Sequence, residues 1–97
     1  MARCAEDAAT YERVIDRDGG MCIECGRQAS AVHEVLARSH FGRKGRATLF
    51  DMRNRCCLCS ACHTPMAHTR PGRTRLLRRM AALYHYDYSD LPFSGYL

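Results

Sequence analysis

Residues 54–63, NRCCLCSACH, place four cysteines, an asparagine and a histidine within ten positions, and this stretch decides the fold. Two overlapping Cys-x-x-Cys pairs are present, Cys56 with Cys59 and Cys59 with Cys62. A Cys-x-x-Cys turn puts two thiolates on one side of a tight loop, which is half of the tetrahedral set that zinc prefers. The other half must come from elsewhere in the chain.

A second pair, Cys22 and Cys25, supplies that half. Two such pairs predict one structural zinc ion, and free cysteines in a core are the alternative. The segment between the pairs is long for a short zinc finger, so it must carry structure of its own. Cys4 and Cys57 are interpreted as spare thiols.

The length of 97 residues suits one small domain, 1–97, of the size that often depends on a metal for stability. No apolar run approaches the ~20 residues of a membrane span, so no membrane partner is expected. The N-terminus, MARCAEDAAT, has acids where a signal peptide has a basic region. We therefore expect a cytoplasmic protein, in a bacterial host or encoded by a phage, whose reduced thiols bind metal.

The apolar pattern predicts a small α+β fold. The first helix should end at Asp18-Gly19-Gly20, and the helix after the second Cys pair contains Pro65, which is tolerated only near a helix start. His85 falls on the last helix, which belongs to an Arg-rich segment of about 72–86. The predicted elements are helices over 5–17, 60–68 and 74–86 and strands over 30–37 and 54–58.

These motifs together resemble the HNH endonucleases, also called ββα-metal or His-Me finger nucleases. The first strand of that family commonly reads Val-Asp-His-Ile-x-Pro-Arg-Ser or Val-His-His-Ile-x-Pro-Arg-Ser, and residues 32–39 read VHEVLARS. The family Asn lies five residues before the second Cys pair, and a metal-binding His follows that pair. Asn54 and His63 satisfy both spacings only if the pair is Cys59 and Cys62.

The resemblance covers residues of about 10–70 and implies a ββα-metal core flanked by helices. It also implies a structural Zn²⁺ on Cys22, Cys25, Cys59 and Cys62, with His33 and His63 binding a catalytic divalent ion such as Mg²⁺ or Mn²⁺.

Carboxylates are few between residues 20 and 80, which argues against a cluster of carboxylates around two metals. Phosphodiester hydrolysis needs an activated water and a charge at the phosphate, which one metal and one base can supply.

The sequence departs from the family at the general base. Glu34 stands where most members have the base His, and His33 occupies the neighbouring metal-binding position. Adjacent residues of a strand point to opposite faces, so both reach one metal only at a strand end. Glu34 as base is slightly preferred, His33 as base is the alternative, and Asn54 is expected to orient the base or the water.

The charge of the chain points to nucleic acid. There are 15 Lys and Arg against 10 Asp and Glu, a net charge of +5, and all the basic residues except Lys44 are Arg. Arg presents a planar fork that matches phosphate oxygens, whereas a solvated helix face is the alternative for these blocks. The expected nucleic-acid contacts are Arg38, Arg43, Lys44, Arg46, Arg53, Arg55, Arg73, Arg75, Arg78 and Arg79.

The resemblance therefore predicts a metal-dependent DNA endonuclease that nicks one strand or cuts both. It is compatible with a homodimer and with association with a phage packaging machinery. The alternative is a non-catalytic zinc-stabilised module that binds nucleic acid, for which His33, Glu34, Asn54 and His63 would have no use. A redox protein built on Cys-x-x-Cys is disfavoured, because no thioredoxin-like βαβ pattern accompanies the pairs.

Overall fold

A computed structural model describes residues 5–36, 51–67 and 69–88 of the chain. Within these ranges the fold is α+β, with three α-helices and one two-stranded antiparallel sheet. The elements in chain order are α1 (Ala5–Asp18), β1 (Ala31–Glu34), a 3-10 helix (Met52–Asn54), β2 (Arg55–Leu58), α2 (Ser60–Ala67) and α3 (Arg70–Tyr84). The predicted class and the order of the predicted elements are confirmed.

The sheet sets which side chains share a face. His33 on β1 pairs with Cys56 on β2, and Glu34 pairs with Arg55. Because paired residues of an antiparallel sheet lie on the same face and successive residues alternate, His33 and Cys56 face one way while Glu34 and Arg55 face the other. β1 is shorter than the predicted strand, because the backbone beyond Glu34 bonds to Asn54 instead of continuing the ladder.

Helix α1 ends where the sequence predicts, with Gly19 at φ +65° and Gly20 at φ +70°. Its Val14 is fully buried, whereas the neighbouring Ile15 is 36% exposed. The last residue of α1 ties the helix to the sheet, since the carboxylate of Asp18 accepts a hydrogen bond from the backbone N–H of Cys57 at 2.8 Å.

The two C-terminal helices correct the sequence analysis in three places. Pro65 is the sixth residue of α2 and not near its start, and α2 ends two residues later. Helix α3 begins at residue 70 rather than 74, because Thr69 caps it by accepting from the Gly72 N–H at 3.0 Å and Pro71 lies in its first turn. His85 lies beyond the helix as its left-handed cap, with φ 58°.

A close approach of α2 and α3 packs the core against the sheet. A Cβ atom at Gly72 would lie 2.7 Å from the Cα of Met66, so only glycine allows this contact. Fully buried side chains of α3 meet those of β2 and of the first Cys turn, whereas Leu83 of the same helix is 49% exposed. The central members of this core are Leu36, Cys56, Leu58, Leu76, Leu77 and Met80.

The irregular segment after α3 is held by specific hydrogen bonds as far as Tyr88. The hydroxyl of Tyr88 donates to the carbonyl of Arg53 at 2.8 Å, and the guanidinium of Arg17 donates to the hydroxyl of Tyr86 at 3.3 Å. Arg17 also donates to the carbonyl oxygens of Met52 and Arg55. This segment therefore fixes the 3-10 helix that leads into β2. Among the residues described here, no helix combines the length and apolar character needed to cross a membrane.

Candidate metal centre and histidine pair

The thiols of Cys22, Cys25, Cys59 and Cys62 come together, with all four Sγ atoms within 4.8 Å of one another. Zinc–sulfur bonds of about 2.3 Å in a tetrahedron require sulfur separations of about 3.8 Å, which is within that limit. The four-Cys group could therefore hold a metal ion such as zinc. The predicted pairing of Cys59 with Cys62 is the one in the structure.

Local backbone turns hold the two halves of the group. The backbone N–H of Gly26 donates to the carbonyl of Cys22 at 2.9 Å, and Gly26 has φ +78°, which a side chain would strain. The second half is the start of α2, where the His63 N–H donates to the carbonyl of Cys59 at 3.0 Å. His63 is thus one residue beyond a thiol of the metal group and on the same helix.

Backbone amides favour the thiolate at two of the four cysteines, Cys22 and Cys59, whereas burial and the neighbouring thiols raise the pKa of Cys62 to about 12. Burial alone would raise the pKa of Cys22, but hydrogen bonds from the backbone N–H groups of Cys59, Cys25 and Glu24 lower it to about 7. The N–H of Cys62 and the neighbouring thiol of Cys25 lower the pKa of Cys59 as well. Since zinc binds the thiolate form, these N–H groups prepare the site for metal.

Cys56 has the opposite environment. It is completely buried in the core, and burial raises the pKa of its thiol well above the ordinary value. A neutral thiol among Leu side chains is a packing group and not a ligand. Its Sγ is also not in the four-Cys group, and this difference in position separates the two overlapping Cys-x-x-Cys pairs of the sequence.

Helix α3 supports the first Cys turn through two arginines. Arg75 forms an ion pair with Glu24 at 2.6 Å, and the Glu24 side chain is only 10% exposed. Arg79 donates from its Nε to the backbone carbonyl of Ile23. Both arginines were assigned to nucleic acid from the sequence, and both contact the residues between Cys22 and Cys25.

His33 and His63 also come together. Their rings meet edge to face, with centroids 4.7 Å apart and planes at 81°. His33 lies on β1 and His63 on α2, and these two elements pack against each other. The Nε2 atom of His33 is buried. The pair therefore lies next to the four-Cys group, at the junction of strand and helix.

Glu34 does not join this pair. It lies on the other face of β1, where its carboxylate accepts from the guanidinium of Arg55 at 3.1 Å. The Arg55 side chain is 3% exposed and that of Glu34 is 44% exposed. The carboxylate of Glu34 therefore lies on the solvent side of the buried guanidinium of Arg55. Removal of one partner from such a pair is destabilising, because it takes the opposite charge away from a buried ion.

Asn54 is completely buried and bonds to backbone, not to either histidine. Its Oδ1 accepts from the N–H of Leu36 at 2.9 Å, and its Nδ2 donates to the carbonyl of Leu36 at 3.0 Å. The residue thereby joins the 3-10 helix to the chain that leaves β1.

The other arginines that the sequence assigns to nucleic acid differ in their surroundings. Arg53 pairs with Asp51 at 2.8 Å and donates to the carbonyl of Asp87, whereas Arg78 is exposed and Arg73 is half-buried. The described residues do not include four other predicted nucleic-acid contacts, Arg38, Arg43, Lys44 and Arg46, and they do not include Cys4, His40 or His68.

Comparison with protein-family models, with curated proteins and with solved structures finds no match to this chain.

Proposed function

We propose that this protein is a metal-dependent DNA endonuclease of the HNH, or ββα-metal, type. The observation that carries the proposal is the contact between His33 and His63 beside the four-Cys group. Two antiparallel strands followed by a helix support it, because the family's site is built on that succession of elements. The His–Asn–His spacing of the sequence and the net charge of +5 agree with a nuclease that acts on DNA.

Zinc on the four thiols has a structural role in this proposal. When bound by these four cysteines, it would join the turn at residues 22–25 to the start of α2 and so help to position His63. A closed set of four Cys ligands leaves no open position for substrate, which is typical of structural zinc.

The chemistry is assigned to the histidine pair. His63 would hold a divalent ion, which when bound supplies positive charge to the phosphate and to the leaving oxygen. His33 would accept the proton of the attacking water, because its ring contacts that of His63 and His is the most common general base. The ring contact between His33 and His63 supports this division of roles, because it would bring the base and the ion ligand side by side.

The same geometry changes the preferred base. The family register favours Glu34, but its carboxylate is engaged with Arg55 on the other face of β1. We therefore assign Glu34 to holding Arg55. Asn54 is assigned to positioning the end of β1, since both ends of its amide bond to Leu36.

Nicking of supercoiled plasmid tests the proposal. Wild type is assayed with Mg²⁺, Mn²⁺ or Ni²⁺ and with a chelator, and zinc content is measured in every sample. His63→Ala should abolish nicking while zinc content and circular dichroism stay unchanged. His85→Asn is the matched control, because Asn tolerates the left-handed backbone of that exposed residue.

Two outcomes would count against the proposal. Equal nicking by wild type and His63→Ala would exclude His63 from the reaction. Tight DNA binding by wild type without nicking under any of the three metals would favour the non-catalytic module.

A further inference from the structure

Two arginines of α3, Arg75 and Arg79, contact the first Cys turn. Residues four apart on a helix lie on the same face, so both side chains can reach one short segment. The guanidinium of Arg75 pairs with the carboxylate of Glu24 at 2.6 Å, and the Nε of Arg79 donates to the carbonyl of Ile23. Both contacts therefore fall on the two residues that lie between the thiols of this turn.

The Arg79 contact reaches a thiol through a single peptide unit. The carbonyl of Ile23 and the backbone N–H of Glu24 belong to the same planar peptide group, and that N–H donates to the thiol of Cys22. A hydrogen bond to the carbonyl polarises the peptide group and strengthens the bond that its N–H donates. The positive charge of Arg79 therefore acts on Cys22 in the direction that favours negative charge on sulfur.

The orientation of this peptide group is fixed from two further directions. The side chain of Glu24 is only 10% exposed, and its Oε1 is held by Arg75. The backbone N–H of Ile23 donates to the carbonyl of Cys57 at 3.1 Å. Rotation of the Glu24 N–H away from the sulfur would therefore disturb contacts with both α3 and β2.

We propose that Arg79 is a positioning residue of the four-Cys metal centre, which acts on Cys22 through the peptide group of Ile23 and Glu24, and that Arg75 holds this group in place. Four thiolates around Zn²⁺ carry a net negative charge, and groups that orient and hydrogen-bond the ligands of a metal set its affinity. Retention of the metal thus depends on α3. The proposal concerns the metal centre and does not require the nuclease activity.

Zinc affinity of the full chain is measured by competition with a chromophoric chelator. Arg79→Met keeps the length and the apolar stem of the side chain but removes its charge and its donor. It should weaken zinc binding about 10-fold, the lower end of the usual effect of groups that support metal ligands. Arg79→Lys keeps a charged donor and should retain most of the affinity. Arg13→Met, at an exposed residue of α1, is the matched control and should bind zinc as wild type does.

Substitution of Co²⁺ for zinc separates the hydrogen bond from a general loss of stability. A weaker hydrogen bond leaves the Cys22 sulfur a better electron donor, so the sulfur-to-cobalt charge-transfer band of Arg79→Met should move to longer wavelength. Val14→Ala truncates a fully buried side chain outside the core cluster that contains Cys22, and it should lower stability. The band of Val14→Ala should coincide with that of wild type.

The combined results decide the proposal. Weaker zinc binding and a shifted band in Arg79→Met, with Arg79→Lys and Arg13→Met close to wild type, support it. Weaker binding with an unshifted band would give Arg79 a structural role only and overturn it. Equal behaviour of Arg79→Met and wild type, or of Arg79→Lys and Arg79→Met, would overturn it as well. A wild-type chain that takes up neither zinc nor cobalt would remove the metal centre itself. None of these readouts uses nicking, so the result is independent of the proposed function.

Discussion

The side-chain amide of Asn54 bonds to both backbone groups of Leu36, accepting from its N–H at 2.9 Å and donating to its carbonyl at 3.0 Å. Both partners are buried, and they are 18 residues apart in sequence. The backbone N–H of Val35 donates to the carbonyl of Asn54 at 2.8 Å as well. Three hydrogen bonds therefore join Asn54 to the two residues that follow β1, Val35 and Leu36.

Asn54→Ala should destabilise the protein by about 2–4 kcal/mol, because it leaves a buried N–H and a buried carbonyl of Leu36 without partners. Urea unfolding of the zinc-loaded protein measures this. Gln28→Ala, at an exposed residue, should change the free energy of unfolding by less than about 0.5 kcal/mol. Equal stabilities of the two variants would mean that the Asn54 bonds contribute little.

Zinc content should separate the two overlapping Cys pairs. Cys59→Ala should lose the ion and unfold, since in such domains the free energy of metal binding is part of the free energy of folding. Cys56→Ala removes a fully buried thiol that is not in the four-Cys group, so it should lower stability while about one zinc per chain remains. Loss of zinc in Cys56→Ala with retention in Cys59→Ala would reverse the assignment. Metal analysis after dialysis gives the answer.

The metal group could be predicted from the sequence because it depends on short-range spacing. A Cys-x-x-Cys turn determines its own geometry, and Asn54 and His63 fixed the register of the second pair. The first and last of the described helices and strand β1 followed from local residue patterns for the same reason. The contact of His33 with His63 was expected from the resemblance, and the structure has the two rings together.

The arginines show what the sequence could not decide. Residues 70–79 contain five Arg, and this pattern does not distinguish side chains that contact DNA from side chains that contact the rest of the protein. Arg75 and Arg79 contact Glu24 and the carbonyl of Ile23, more than fifty residues away along the chain. Such pairs depend on tertiary packing, which no local pattern encodes. The predicted start of the last helix at residue 74 overlooked Thr69 and Pro71, which are ordinary helix start signals.

Gly72→Ala should destabilise the protein although alanine is the better helix former. Helix propensity alone predicts a gain of about 1 kcal/mol. The added Cβ would lie 2.7 Å from backbone atoms of Pro65 and Met66, and overpacking of this kind costs about 1–3 kcal/mol. A net loss in urea unfolding is therefore expected, and a stabilised variant would contradict the close approach. Ala82→Gly, at an exposed residue of α3, measures the propensity term by itself.

Stability should fall at alkaline pH through Tyr84. Burial and the hydrogen bond to Asp18 raise the pKa of Tyr84 from the ordinary 10.0 to about 12. A group with a raised pKa stabilises the fold fully below its ordinary value, and this contribution is lost as the pH rises from about 10 to about 12. Tyr84→Phe should therefore show a smaller decrease of unfolding free energy over this range than wild type.

The last prediction concerns the base. If His33 accepts the proton, His33→Ala should lower the nicking rate by about 10²- to 10⁴-fold, the usual contribution of a general base, while binding of the divalent ion to His63 persists. Glu34→Gln should then retain most of the rate and show its effect in stability, because it removes the charge that faces the buried guanidinium of Arg55.

Nicking rates at saturating DNA and urea unfolding of the same two variants separate the roles. A severe loss of rate in Glu34→Gln, with stability unchanged, would return the base to Glu34. Loss of divalent-ion binding in His33→Ala, followed by isothermal titration with Mn²⁺, would instead make His33 a metal ligand. In that case Glu34 would have to leave Arg55 to reach the water, and Arg55→Gln would then be expected to speed the reaction, not to slow it.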